Sequence, residues 1–371
     1  MTDDRPPAAQ TRPAVPSPDP SGGSRVRLSG VVGLLAAVPA TLGFHPSDSL
    51  VMVCLTATGE LGPVARVDLP VGPSGGVPYQ RLASFAAQHA DSVVLLSYRT
   101  RAAIPRALPR LAGALRQAGV PPRDLWAVHG GAAHRVDPVR GVRDPSAAPV
   151  PLPGRDDPQV LTMQALTAFS GRAILDSRRE LCRTIAPPDR ERLTAFSQAL
   201  SRTPRRLPDL SGIGTAPDRR SPTDRRPGPV DVALRQVERT GDVDAPAAAA
   251  VVVAMQEHRG RDAVISRAIR EPDRPWAAML SACARWTPDR AAAQLCATLT
   301  VVAYAEGDGA LAQVAVDRCL RADPSHGLGT LLLSTIQTGL PPVTVRGMLA
   351  GLDDPPSGDA VGGAHPGMPG R

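Results

Sequence analysis

Apolar residues along this chain fall into two kinds of pattern. From position 26 to position 129 short continuous apolar runs alternate with stretches of helical spacing, whereas from position 159 onward only helical spacing is found. Residues 29–39 predict a short apolar helix with Ser29 as its N-cap and Pro39 as its close. Residues 49–55 form an unbroken apolar run bounded by turn residues, and residues 62–69 a second β-rich run after Thr58, Gly59 and Glu60, which together predict a β-hairpin. Helical spacing over 79–90 leads into a run at 92–98 that reads as a strand buried on both faces. Residues 104–119 repeat the helix with a glycine stop, and 124–129 form the next strand. Helices alternating with short buried strands predict an α/β layered sheet, mostly parallel, with a hairpin at its start.

After His129 the pattern breaks at Gly130 and Gly131 into a proline-rich loop reaching Pro158. Three helices are then predicted, at 159–169, from Asp176, and at 189–201, so the sheet domain ends in helices. Residues 230–350 hold no convincing strand and carry five or six helical segments, which predicts an all-α domain. Within it Gly307, Ala312, Cys319 and Pro324 stand where a tetratricopeptide repeat puts its glycine, two small residues and closing proline. The large aromatic of that repeat is replaced by Cys296, and no second copy follows at 34 residues, so one tetratricopeptide-like hairpin is expected.

More than half of the 41 prolines fall in 1–25, 138–158, 203–229 and 351–371. The expected organisation is therefore a tail at 1–25, an α/β domain at 26–202, a proline- and arginine-rich linker at 203–229, an all-α domain at 230–350 and a tail at 351–371. The apolar runs are too short to cross a bilayer, and the first 25 residues lack the layout of a secretion signal, which makes a cytoplasmic protein the expectation. All 42 basic residues are arginine, and the net charge is +7. Those arginines are interleaved with aspartates and only 3% of residues are aromatic, so a nucleic-acid surface is not expected. Cys54, Cys182, Cys283, Cys296 and Cys319 have no metal-ligand spacing and read as reduced, buried thiols.

The candidate chemistry is a polar loop between a helix and a strand, with His45, Ser47, Asp48 and Ser49, beside Arg66 and Asp68 of the neighbouring strand. Two residues apart on a strand, Arg66 and Asp68 point to one face. Folded over the loop, that face would offer an arginine to an anionic group, a histidine as acid or base, and a serine hydroxyl. The bland alternative is an ordinary Pro-Ser-Asp turn next to a surface ion pair worth at most ~1 kcal/mol. Other signals are weaker. His129 ends a strand, the edge at which α/β sheets bind ligands, with His134 five residues on but no acid at ligand spacing. Ser170-Gly171 follows a helix, not a strand, so it is not a nucleophile elbow. Asp156 and Asp157 sit in a proline-rich loop. No phosphate-loop, dinucleotide, metal or catalytic motif is recognised, and no cofactor is expected.

The run at 42–51 followed by that at 65–70 resembles the opening of a domain-of-unknown-function family common in high-GC actinobacteria. Residues 169–172 with 176–181 resemble its middle and 303–324 its end, so the likeness covers roughly residues 26–350. It implies a cytoplasmic actinobacterial protein and no particular activity. Members often carry an aromatic and cysteine-containing stretch after the fourth strand, where this chain has Gly130-Gly131-Ala132-Ala133-His134-Arg135-Val136. The reading reached is a non-enzymatic interaction or regulatory protein whose partner is another protein. The alternative is a small-molecule-binding protein or enzyme acting on an anionic ligand at the loop from His45 to Asp48.

Overall fold

The computed structural model describes residues 29–69, 78–100, 105–204 and 227–351. The expected tails, residue 351 apart, and positions 205–226 of the expected linker lie outside the described residues. The first half runs α1 (Gly30–Leu42), β1 (Ser49–Leu55), β2 (Leu61–Asp68), α2 (Tyr79–His89), β3 (Ser92–Tyr98), α3 (Ala107–Gln117), β4 (Pro122–His129), β5 (Ala132–Arg135) and β6 (Val150–Pro151). Its six strands form one sheet in the order β2-β1-β3-β4-β5-β6. The continuous apolar runs became the central strands: every residue of β1 is buried, as is β3 from Val93 onward. The edge strand β2 is only partly covered and tolerates Pro63, which has no ladder hydrogen bond to give on its open side.

The expectation of a mostly parallel sheet is wrong. Only β3 and β4 pair in parallel, while β1 is antiparallel to both β2 and β3, and the pairs β4–β5 and β5–β6 are antiparallel as well. The crossover from β2 through α2 does bring β3 back parallel to β2, but it steps over β1, so the strand β3 meets runs the other way. The loop expected after His129 is a hairpin too. Gly130 and Gly131 have φ of 58° and 78°, the left-handed pair that a two-residue turn requires, and they place Ala132 opposite His129. Pro39 does not close α1; the helix continues to Leu42 and ends at Gly43 (φ 73°), and the Ser29 side chain makes no cap. Pro39 withholds the helical N–H that would meet the Leu35 carbonyl, and its ring is buried in the core.

Side-chain alternation sends the sheet's two faces into different cores. Leu50, Met52, Cys54, Leu95 and Leu125 pack under α2 and α3 through Leu82, Ala86, Leu108, Leu111 and Leu115. Val51, Val53, Leu96 and Tyr98 face α1 and join a core that runs on into the helices that follow. Those are α4 (Pro158–Phe169), α5 (Arg178–Arg183), α6 (Arg190–Arg202), α7 (Pro229–Thr240), α8 (Ala245–Ala254), α9 (His258–Arg270), α10 (Trp276–Ala284), α11 (Asp289–Ala305), α12 (Gly309–Ala322), α13 (Gly327–Thr338) and α14 (Pro342–Gly351). Residues 229–351 are thus helical throughout, with eight helices where five or six were expected. No helix among the described residues is long and apolar enough to cross a membrane.

The helices α11 and α12 form a helical hairpin, its turn made by Gly307 (φ 83°) and its second helix capped by Asp308, which accepts from the Leu311 N–H at 2.9 Å. Buried Arg318 of α12 donates to the carbonyls of Ile185, Ala284 (2.9 Å) and Thr287 (2.6 Å) and to Asp289 (3.0 Å), tying the segment after α5 to α10 and α11. All five cysteines are free, four of them buried and Cys182 half-buried. Burial pushes the Cys54 and Cys296 thiols up to about 11 and those of Cys283 and Cys319 to about 12, which keeps these four protonated and unreactive at neutral pH.

At the end of α11, Glu306 borders a small cavity with Ala305, Val302, Ala268, Ile269, Pro272 and Arg346. Desolvation, with Asp308 adding to it, pushes its carboxyl up to about 7, against the Ala277 N–H, Arg172 and Arg346, which favour the charged form. A carboxyl that holds its proton more tightly folded than unfolded stabilises below the ordinary carboxylate range, and that stability is lost as pH rises through about 7. The melting temperature is therefore expected to fall between about pH 5 and about pH 8, and Glu306→Gln to flatten the fall. An identical pH profile in the variant would assign the effect elsewhere.

Candidate functional site

The turn before β1 is held from three sides. Leu175 pairs with it on one side: the His45 N–H donates to the Leu175 carbonyl (2.9 Å) and the Leu175 N–H to that of Gly43 (2.8 Å). On the second side the Leu69 N–H donates to the Asp48 carbonyl at 2.9 Å. On the third, the Asp48 carboxylate accepts from the backbone N–H and the hydroxyl of Thr100, both at 3.3 Å, and lies 3.7 Å from Nε of Arg99. Asp48 has φ 39°, the one positive φ outside glycine among the described residues. That backbone is unfavourable for a side chain larger than hydrogen, and the contacts just named hold it in place.

Arg66 and Asp68 do share a face and form an ion pair at 2.6 Å. The Arg66 side chain is only 11% exposed against 68% for Asp68, and its guanidinium lies 5.4 Å from the centre of the buried Phe44 ring. The ring offers its face to the cation, and Nε is buried and without a hydrogen-bond partner. His45 and Ser47 are exposed, and among the described residues their side chains bond to none of the other four. Of the six expected residues the fold therefore brings together Arg66 with Asp68, sets Ser49 opposite Asp68 on the neighbouring strand, joins Asp48 to Arg99 and Thr100, and leaves His45 and Ser47 on the rim.

Sequence reasoning named Ser49 but missed Tyr98 and Arg99 on the far side of the site. Ser49 pairs with Asp68 on one neighbouring strand and with Tyr98 on the other, so the three side chains point the same way. The Ser49 and Tyr98 hydroxyls are buried and unpartnered, Nε of Arg99 is buried with no hydrogen bond beyond its 3.7 Å ion pair to Asp48, and burial raises the phenol of Tyr98 further above its ordinary range. On the opposite face at the same end, the buried Ser97 hydroxyl and Nδ1 of His134 are unpartnered as well. The His129 and His134 rings stack there, 4.3 Å between centres and 16° between planes. Desolvation, the neighbouring His129 and Arg143 hold His134 below the usual imidazole range, hence neutral. Six of the seven buried orphan side-chain atoms among the described residues thus gather at the carboxyl ends of β2, β3 and β4 or on the strands beside them; the seventh is on Gln294. The only sequence signal for Tyr98 and Arg99 was their place at the end of a buried strand, where α/β sheets bind ligands.

Buried polar atoms are normally paired, because each one left alone costs ~1–3 kcal/mol. A group of orphans at one end of a sheet is an arrangement suited to a molecule that supplies the missing acceptors. Arg66 and Arg99 with the two hydroxyls of Ser49 and Tyr98 would favour an anionic, oxygen-rich one. A family model described as a domain of unknown function (DUF4192) matches residues 32–343. No curated protein and no solved structure matches the chain.

Proposed function

Because the chain belongs to the DUF4192 family, whose description assigns no activity, the reading rests on its own residues, and we propose a non-enzymatic regulatory protein that binds a small anionic ligand at the carboxyl end of the sheet. The observation that carries it is the group of buried Ser49, Arg66, Tyr98 and Arg99 atoms without a hydrogen bond around the Asp48 turn. Arg66 is the anchor: packed beside the Phe44 ring, with Nε free, it offers a fork to a carboxylate or phosphate. Asp68, much the more exposed of the ion pair, is the group an incoming anion would displace. Ser49 and Tyr98 would orient the ligand, and His45 and Ser47 would close the rim. Binding is favoured over catalysis because exposed His45 has no side-chain partner among the described residues to fix its tautomer.

A protein-partner role for the helical half rests on the α11–α12 hairpin and its tetratricopeptide-like placing of Gly307, Ala312, Cys319 and Pro324. One hairpin falls short of the roughly three repeats that build a groove, so ligand binding is the better supported reading.

The test is a thermal-shift comparison of wild type and Arg66→Lys with inorganic phosphate, citrate and glutamate as probes. Lysine keeps the charge and loses the planar fork, so wild type is expected to rise with at least one probe, and Arg66→Lys to stay put while melting normally without it. A wild type that no probe shifts, or equal shifts in both proteins, would remove Arg66 as an anchor and leave a structural turn beside an ion pair.

A further inference from the structure

The helix α4 combines three features that a monomer does not explain. Its twelve residues include no charge. It rests on α1, yet Thr167 is its only buried residue. Its outer side exposes Leu161, Ala165, Ala168 and Phe169, four, seven and eight residues on from the first, which is one face of a helix. Phe169 is 93% exposed and Leu161 50%. A single apolar side chain in water is ordinary; a contiguous uncharged stripe with a fully presented phenylalanine is a contact surface.

We propose that this stripe is the interface of a homodimer, α4 lying antiparallel on α4 of a second copy about a two-fold axis through Ala165. The stripe is self-complementary in that geometry. Leu161 and Phe169 stand four residues to either side of Ala165, about 6 Å along the axis at 1.5 Å per residue, so each Phe169 falls over Leu161 of the other copy. At the axis Ala165 meets itself, and with Ala168 beside it the two helices can approach closely.

Charge agrees with shape. Any charged residue on a two-fold axis faces its own copy, and α4 has none. Antiparallel helices also set the positive amino end of one against the negative carboxyl end of the other. Half-buried Arg172, just past the end of α4, comes opposite Asp157, the residue that caps α4 of the second copy; within its own chain Arg172 faces Glu306 and Asp308. A lipid surface fits less well, since at the start of the stripe Asp156 and Asp157 outweigh the single cation Arg155. Four side chains cover less than the ~800 Å² per partner of a standard interface, so the dimer is weak and depends on concentration.

The full chain would be examined by sedimentation velocity from micromolar to near-millimolar concentration, with Phe169→Glu as the disrupting variant. Because Phe169 is exposed, that variant should melt like wild type. The expected result is a monomer–dimer equilibrium in wild type and a monomer throughout in Phe169→Glu. Geometry is read separately by oxidative cross-linking of Ala165→Cys, with Thr162→Cys and wild type as controls. Residue 165 meets its own copy and should cross-link; residue 162 lies opposite 168 and should not exceed the wild-type background. A wild type that stays monomeric, a dimer that survives Phe169→Glu, or cross-linking at 162 in preference to 165 would each overturn the proposal.

Discussion

Replacing Arg318 with methionine is expected to lower the unfolding free energy by about 3–5 kcal/mol, the range for breaking a buried charged network by removing one member. Arg318 is 2% exposed, and its guanidinium satisfies three main-chain carbonyls and the Asp289 carboxylate from one position. Methionine fills most of the length of the side chain and takes the side-chain donor from three main-chain carbonyls, of which Ala284 keeps the Thr287 N–H, while the half-exposed Asp289 carboxylate turns to water. Arg318→Lys keeps the charge, but one ammonium cannot span acceptors arranged around a planar fork, so it should fall between wild type and methionine. Urea unfolding monitored by circular dichroism measures both. Amide exchange after α5 should also speed up in Arg318→Met, because the Ile185 carbonyl is one of the released partners. A methionine variant within about 1 kcal/mol of wild type would mean that the network is dispensable.

Trp276→Ala should cost a comparable amount, about 3–5 kcal/mol, by a different route. The indole is fully buried at the start of α10. Its N–H donates to the Glu271 carbonyl at 3.0 Å, and the Arg267 guanidinium lies 5.1 Å from the ring centre, fixed in turn by Asp231 and Glu271. Alanine opens a cavity that packed helices fill only in part, and takes one of its two donors from the Glu271 carbonyl, which keeps the Arg274 N–H at 3.2 Å. Trp276→Phe separates the two contributions: it keeps most of the volume and loses the hydrogen bond, so about 1–2 kcal/mol is expected. Equal losses for alanine and phenylalanine would assign the stability to the hydrogen bond in place of packing.

The candidate site was legible in the sequence to the extent that it is local. Arg66 and Asp68 share a face because strand side chains alternate, and they are indeed paired. Asp48 lies in the turn expected of Pro46, Ser47 and Asp48, but its carboxylate partner, Thr100, is 52 residues further on. No spacing rule links two such positions; only the pairing of β1 with β3 does. His45 was the most suggestive residue in the loop and is among the least engaged, because a turn's residues are set by where its backbone must bend and not by what they face. Arg318 left a faint trace. It follows Leu311 and Ala315 at helical spacing and so falls on the apolar stripe of α12, where an arginine is out of place unless it is fully bonded.

The sequence by itself determined which of the longer segments are strands and which are helices, while the short β5 and β6 lay in what read as loop. Continuous apolar runs at 49–55 and 92–98, helical spacing from 159 onward, and caps such as Asp189, which accepts from the Arg192 N–H, all report burial and hydrogen bonding within a few residues. Tertiary structure alone decided the direction in which strands meet, that Gly130 and Gly131 turn a hairpin, that Pro39 is carried inside a helix, and that one face of the sheet shares its core with the helices of the second half. The reason is range. An apolar residue is equally well buried beside a parallel or an antiparallel neighbour, so periodicity records that it is covered and carries no record of what covers it.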